Sequence, residues 1–204
     1  MWGWPAALNH TETRAGSPPR RMVEERGASA ISMFIATEAM LFVSLFWSYY
    51  YLGHLQPNWP PQPPSCRVAV AMLAILVTGS VVLYWGEQQI KKERRASGRA
   101  ATLATIMLGC VFVGVQLKDY VNHLAMIEAA ADAYGSIFYT ITSVHALHLL
   151  IGITLLVYVL VLPNAEAHEK PARALHNAGL YWHFVNVVWF FIVALLYIAP
   201  NVGR

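Results

Sequence analysis

The chain has 204 residues, of which 57% are apolar and only 12% charged, with a formal net charge of +3. A typical soluble domain carries about 25% charged residues. The composition therefore excludes an ordinary soluble domain and points to one membrane-embedded domain, with no nucleic-acid partner.

The first 27 residues are polar and carry Arg14, Arg20, Arg21 and Arg26. They lack the continuous apolar core of a signal peptide, and they read as a short, mostly irregular cytoplasmic tail (1–27). A domain of five transmembrane helices is expected over 28–200. Helix one spans about 28–52. The loop that follows has five prolines and no Lys or Arg, which favours polyproline or turn geometry. Helix two spans about 66–90. A basic loop carries Lys91, Lys92, Arg94, Arg95 and Arg99, a pattern suited to setting topology and meeting anionic headgroups. Helix three spans about 100–123 and leads to a loop with Glu128 and Asp132. Helix four spans about 136–162 and ends at Pro163. A short loop with Lys170 and Arg173 precedes helix five, about 176–199, which ends at Pro200. Cys66 and Cys110 show no CxxC spacing or disulfide framework. Both read as buried small hydrophobes.

The fold class is thus all-α, a polytopic bundle of five spans with its termini on opposite sides. Lys and Arg number four on the tail, five on the second loop and two on the fourth, against Arg67, Lys118 and Arg204 on the other side. Eleven against three is a positive-inside bias that puts the N-terminus in the cytoplasm and the C-terminus outside. Trp47, Tyr49, Tyr50 and Tyr51 sit at the outer end of helix one, and Tyr84 and Trp85 at the inner end of helix two, as interface aromatics do.

Within these spans the ionisable and strongly polar residues are few. Glu38 is the single ionisable group in Ile31–Tyr50, where a carboxyl costs roughly 2.5–3.5 kcal/mol to insert. Its neighbours one turn away, Phe34, Ile35, Leu41 and Phe42, offer no partner. Ser29, Ser32, Ala36 and Ala39 share the opposite face, and small residues mark close helix packing. Glu38 is therefore expected to face lipid, a cleft or another subunit, and burial favours its protonated form. Gln116, Asp119, His145, His148, His183 and Asn186 are the remaining candidates, read as interhelical polar contacts. His183 and Asn186 are expected to bond across to helix three or four. For Asp119 a pair with Lys118 or solvent stands beside an interhelical bond.

No catalytic residue and no metal site is expected. Gly-rich phosphate loops, Cys-rich copper patterns and HExxH are missing from the sequence. Only His145, His148 and His183 lie deep enough to serve a haem, and they could hold at most one. A proton path would need a relay, and one Glu is not a relay.

Five stretches together resemble subunit III of the haem–copper oxidases. They are MFIATEAMLF (33–42), NWPPQPP (58–64), Gln116 with Asp119 and Tyr120, YGSIFYTITSVHALHLLIG (134–152) and YWHFVNVVWFF (181–191). They occur in family order and cover all five helices. The resemblance implies an α-helical, non-catalytic subunit that stabilises the catalytic subunit I and assists proton uptake. It implies direct contact with subunit I, a complex with subunit II and other respiratory subunits, and bound phospholipid near Glu38. The haem and copper would lie in partner subunits. A bacterial cell inner membrane is the implied location. Long family members have seven helices, and this chain matches the five-helix form. The family Asp of the last helix is Asn186 here, helix two ends in YWGEQQ where many relatives have histidines, and Ser143 and Ala146 replace family glycines. The corresponding subunit of a quinol oxidase, an accessory subunit of a nitric oxide reductase and, from another class, a small cytochrome b using His148 and His183 are the rival readings.

The topology is directly testable. A periplasmic reporter enzyme fused after Arg204 should be active, and the same reporter inserted between Lys91 and Arg99 should be inactive. The reverse pattern overturns the orientation.

Overall fold

The structure is a computed structural model and describes residues 20–56, 59–60, 66–129, 133–161 and 169–202. The helices are α1 (Arg20–Leu55), α2 (Cys66–Lys91), α3 (Arg95–Ala129), α4 (Ala133–Val161) and α5 (Glu169–Ile192). A π-helical turn, Val193–Ile198, and a last α-turn, α6 (Ala199–Val202), continue α5. Among the described residues five helices are long and apolar enough to cross a membrane, as the hydropathy pattern requires. Among the described residues there is no strand. In hydrocarbon a helix satisfies its own backbone, and this is why the spans take that form.

Several ends differ from the sequence reading. α1 begins at Arg20, so residues 20–27 are helical rather than irregular. The rest of the expected tail lies outside the described residues, as do parts of the proline-rich loop and of the connections around Asp132 and Pro163. α3 begins at Arg95 and runs on to Ala129. Past the expected stop at Pro200 the helix continues. A proline ring collides with the carbonyl four residues back in a regular α-turn and provides no N–H. The chain widens just before it, with Ala199 N–H bonded to Ala194 O. The Tyr197 carbonyl then accepts from Asn201 Nδ2 at 2.7 Å and from Cys66 Sγ at 3.1 Å. Cys66 is thus a hydrogen-bonding residue and only half-buried, and Cys110 is exposed. Neither is the buried hydrophobe expected: Cys66 turns its thiol to a backbone carbonyl at the edge of the core, and Cys110 lies on an exposed face of α3.

α2 packs most closely on α3 and also on α5, α4 packs on α3 and α5, and α1 packs on α4 and α5. α1 is the outlying helix. Its most apolar window is 6% buried, against 28–44% for the other four. The α2–α3 hairpin closes on small residues. A side-chain carbon on Gly86 would lie 2.7 Å from Ala101 Cβ, and one on Gly98 would meet Ile90. Thr105 Oγ1 adds a bond across the pair to Gly79 O at 3.3 Å.

The centre of the bundle is Trp182 of α5, fully buried. Its indole lies against Gly79 of α2, Gly109 of α3 and Gly152 of α4. Three helices omit a side chain where one large ring enters, the close approach that glycine permits in membrane bundles. Trp59, in the connection after α1, rests on Gly53 and meets Tyr49 and Tyr134 at ring distances of 5.2 and 5.1 Å. Tyr49 therefore anchors that connection and is buried, while Trp47, Tyr50 and Tyr51 stay exposed.

A methyl group at Gly109 would sit 2.9 Å from Trp182 Cη2 and 3.1 Å from Ile153. Gly109→Ala should cost about 1–3 kcal/mol through overpacking. At Gly114 nothing lies within 4 Å, so Gly114→Ala should be neutral or stabilise by up to about 1 kcal/mol. Unfolding of the two purified variants in detergent compares them; equal losses would contradict the Trp182 slot.

Candidate functional site

The packing of α1 overturns the expectation that its small-residue face docks on the bundle. The face that docks on the bundle carries Glu38, Phe42, Leu45 and Tyr49, with Phe42 and Tyr49 buried. Ser32 and Ala36 of the small-residue face are exposed instead. Glu38 thus points at α4, where its Oε2 lies 2.7 Å from His148 Nε2. The other ring nitrogen, Nδ1, is 2.7 Å from the Val144 carbonyl.

These two contacts fix the proton count. A carbonyl oxygen only accepts, so Nδ1 carries a hydrogen and donates it. The contact between Nε2 and Oε2 then holds one proton. It belongs either to a carboxylic acid facing a neutral imidazole or to an imidazolium facing a carboxylate. Both forms have zero net charge. The insertion cost of a lone carboxylate is avoided by pairing, without requiring that Glu38 itself keep the proton.

Aromatic rings enclose the pair. Phe42 meets the His148 ring edge-on at 5.0 Å, and Phe34 stacks on Tyr181 at 6.0 Å. Tyr181 Oη donates to the His148 backbone carbonyl at 3.3 Å. The site is therefore a junction of α1, α4 and α5, in which Glu38, His148 and the Tyr181 hydroxyl each have a hydrogen-bond partner.

His145, one turn earlier on α4, is fully buried and behaves differently. Its ring stacks on Trp189 at 4.9 Å and meets Phe112 at 5.8 Å. Neither ring nitrogen has a hydrogen-bond partner among the described residues. The expected interhelical hydrogen bond gives way to ring packing, because the facing residues on α3 and α5 are aromatic.

His183 and Asn186 bond to α2 rather than to helix three or four. His183 Nδ1 lies 3.2 Å from Ser80 Oγ. Asn186 Nδ2 donates to Leu76 O at 3.2 Å and also to Ser80 Oγ. The reason is register: α5 crosses α2 with Ser80 opposite both residues, and Ser80 is a partner that sequence reading passed over. Gln116 is buried on α3, and Asp119 is half-buried one turn further on. Beside them Tyr120 Oη donates to Thr142 Oγ1 at 2.7 Å.

A second carboxyl–imidazole pair was also missed. Glu87, buried near the end of α2, lies 3.4 Å from Nδ1 of the half-exposed His176 on α5. The Glu87 carboxylate occupies the space where Gly179 lacks a side chain. Nothing in the local sequence announces either member of that pair.

The histidine geometry bears on the rival haem reading. His148 turns to Glu38 on α1, and His183 turns to Ser80 on α2. They do not face one another across a common space, as two axial ligands must. Among the described residues no three His, Cys, Asp or Glu side chains gather as a metal-ligand set.

The family model for cytochrome c oxidase subunit III matches residues 10–200, nearly the whole chain. The chain belongs to the cytochrome c oxidase subunit III family. Among its relatives is the cytochrome c oxidase subunit 3 of Thermostichus vulcanus, 30% identical over 170 residues, which cover 81% of this chain and 84% of that one. The subunits of Gallus gallus and Drosophila yakuba are 32% and 30% identical over 81% of this chain and 66% of theirs. The chain thus spans about two thirds of the length of these animal relatives. The stretch 134–152 holds His145, His148 and Gly152, and the stretch 181–191 holds Trp182 and His183. Of the Trp182 slot, the motif stretches hold Trp182 itself and Gly152, while Gly79 and Gly109 lie outside them.

The Glu38–His148 bond is measurable by a double-mutant cycle. Glu38→Leu and His148→Leu should each destabilise the chain, and the double variant should lose less than their sum by about 0.6–1.7 kcal/mol, the range for good hydrogen bonds between membrane helices. Strict additivity would mean that the two side chains do not interact.

Proposed function

We propose that this chain is the non-catalytic subunit III of a respiratory haem–copper oxidase that oxidises cytochrome c. The observation that carries the proposal is the family match over residues 10–200. The relatives' names favour the cytochrome c enzyme over the quinol and nitric oxide alternatives. In this reading the haem and copper reside in partner subunits, and this chain packs directly against the catalytic subunit I within a complex that includes subunit II. It works from the inner membrane of a bacterium, with its N-terminus in the cytoplasm, as the charge bias indicates.

The role is support. α1 meets the rest of the chain along one narrow face, and its other surface is apolar and exposed, with Met33, Met40, Val43 and Trp47 outermost. Such a surface suits phospholipid and partner helices. The Glu38–His148 pair holds α1 at the depth where that surface is presented. A pair that is neutral in either proton arrangement stabilises lipid and helix packing, and it supports proton uptake by keeping α1 and its lipid in place beside subunit I.

Purification of the chain from its native membrane in mild detergent should bring the haem- and copper-bearing subunits with it. Removing it should leave the initial rate of oxygen reduction largely intact and shorten the enzyme's active lifetime during turnover. Immediate, complete loss of activity would overturn the supporting role.

A further inference from the structure

The turn between α2 and α3 is the most strongly charged patch among the described residues. Lys91, Lys92, Arg94, Arg95 and Arg99 are all exposed there. Glu93 is the single acid between Lys91 and Arg99, so five cations against one anion leave +4. The next acid along α2, Glu87, is buried and turned toward His176.

The backbone limits how far this charge can stand from the two spans. Membrane-crossing helices end at Lys91 and begin again at Arg95, so three residues reverse the chain. Glu93 takes a left-handed conformation at φ 61°, and Arg94 N–H bonds back to Gln89 O at 2.9 Å. Gly98 N–H bonds to Arg94 O at 3.1 Å, which starts α3 at once. A turn this short reaches about 10 Å at most. α2 has 26 residues, or about 39 Å at ~1.5 Å per residue. That exceeds the ~30 Å hydrocarbon core but not the ~40–45 Å of the whole bilayer. The five cations therefore stay close to the ends of two membrane-crossing helices, at the level of the headgroup layer. Tyr84 and Trp85, both more than half exposed one to two turns earlier on α2, take the interfacial positions that aromatic rings favour.

We propose that the α2–α3 turn is a binding site for the phosphate groups of anionic phospholipids, distinct from any lipid held near Glu38. Lipid is favoured over an acidic protein surface by the depth of the turn and by the flanking interfacial rings. Arg99 contributes while bridging: one of its nitrogens donates to Leu160 O at the end of α4 at 2.9 Å. Headgroup binding there ties the α2–α3 hairpin to α4 on the same surface.

The test uses the purified full chain in an equimolar mixture of phosphatidylglycerol and phosphatidylcholine, with retained lipids counted by native mass spectrometry. Each basic residue near an anionic surface is worth about fivefold in affinity. The wild-type chain should retain phosphatidylglycerol preferentially, and K92Q/R94Q/R95Q should lose about tenfold or more of that preference. This variant keeps the other Lys and Arg residues that set topology, and a protease-protection assay checks that it is inserted the same way round. Raising salt from 0.1 to 1 M shortens screening from about 10 Å to about 3 Å and should weaken the wild-type preference. Inorganic phosphate at matched ionic strength should not. Equal retention of both lipids by the wild type, or an unchanged preference in the variant, overturns the proposal. Competition by inorganic phosphate assigns the patch to free anions. When the variant is instead purified from its native membrane, loss of another oxidase subunit with the lipid preference intact overturns the proposal and assigns the patch to a protein partner.

Discussion

An unpaired carboxylate cannot rest in hydrocarbon, and the position of α1 follows from that constraint. α1 has little apolar contact with the bundle, and between membrane helices there is no hydrophobic driving force, because lipid tails are as apolar as the side chains they would displace. What distinguishes one face of α1 from another is therefore its polar group. Glu38 finds a partner at His148, and that contact selects the docking face. Phe42 and Tyr49 lie on the same stripe, one and three turns further on, and are buried as a consequence. The serines and threonines on the exposed surfaces need no such partner. Thr37, Ser44 and Ser48 donate to backbone carbonyls of α1 itself, at 2.7–2.9 Å.

The other four helices are organised differently, by shape. Trp182 needs room on three sides, and α2, α3 and α4 each supply a glycine at the point of contact. Phe112, Trp189 and His145 extend the same filling toward the far end of the core. The molecule thus has a core held by large rings in glycine slots and a peripheral helix held by one proton-sharing pair. The first arrangement tolerates small changes in charge and is sensitive to added volume. The second has the opposite sensitivities.

The five spans were legible in the sequence because each is a long apolar run bounded by charge, proline or glycine. The identities of the polar residues were equally plain, since so few occur within the spans. Their directions were not. A helical wheel gives the angle between Glu38 and Ser32 but no absolute bearing, and the partner that sets the bearing lies 110 residues away. The small-residue rule pointed to the wrong face because it weighs close packing alone and ignores the cost of an unpaired acid. His183 and Asn186 were given the wrong neighbour, since Ser80 on α2 resembles any other serine in an apolar run. The π-turn was hidden for a related reason. Pro200 reads as a helix end, whereas widening the preceding turn accommodates it just as well.

Asn186 illustrates how the local partners decide which residue can stand at a given point. The family pattern has Asp there. In this chain the side chain faces the Leu76 carbonyl and the Ser80 hydroxyl. A carbonyl oxygen can only accept, so a carboxylate in this place would meet an acceptor with an acceptor and would carry an uncompensated charge at depth. The amide donates to both groups and brings no charge. His183, which shares Ser80 with Asn186, is itself engaged with that hydroxyl and so does not stand as a counter-ion to it. With Glu38 neutralised by His148 and Asn186 neutral by composition, these two sites add no net charge to the membrane interior. Their contribution is to hold α1 to α4 and α5 to α2, and the geometry of both contacts depends on which partner donates.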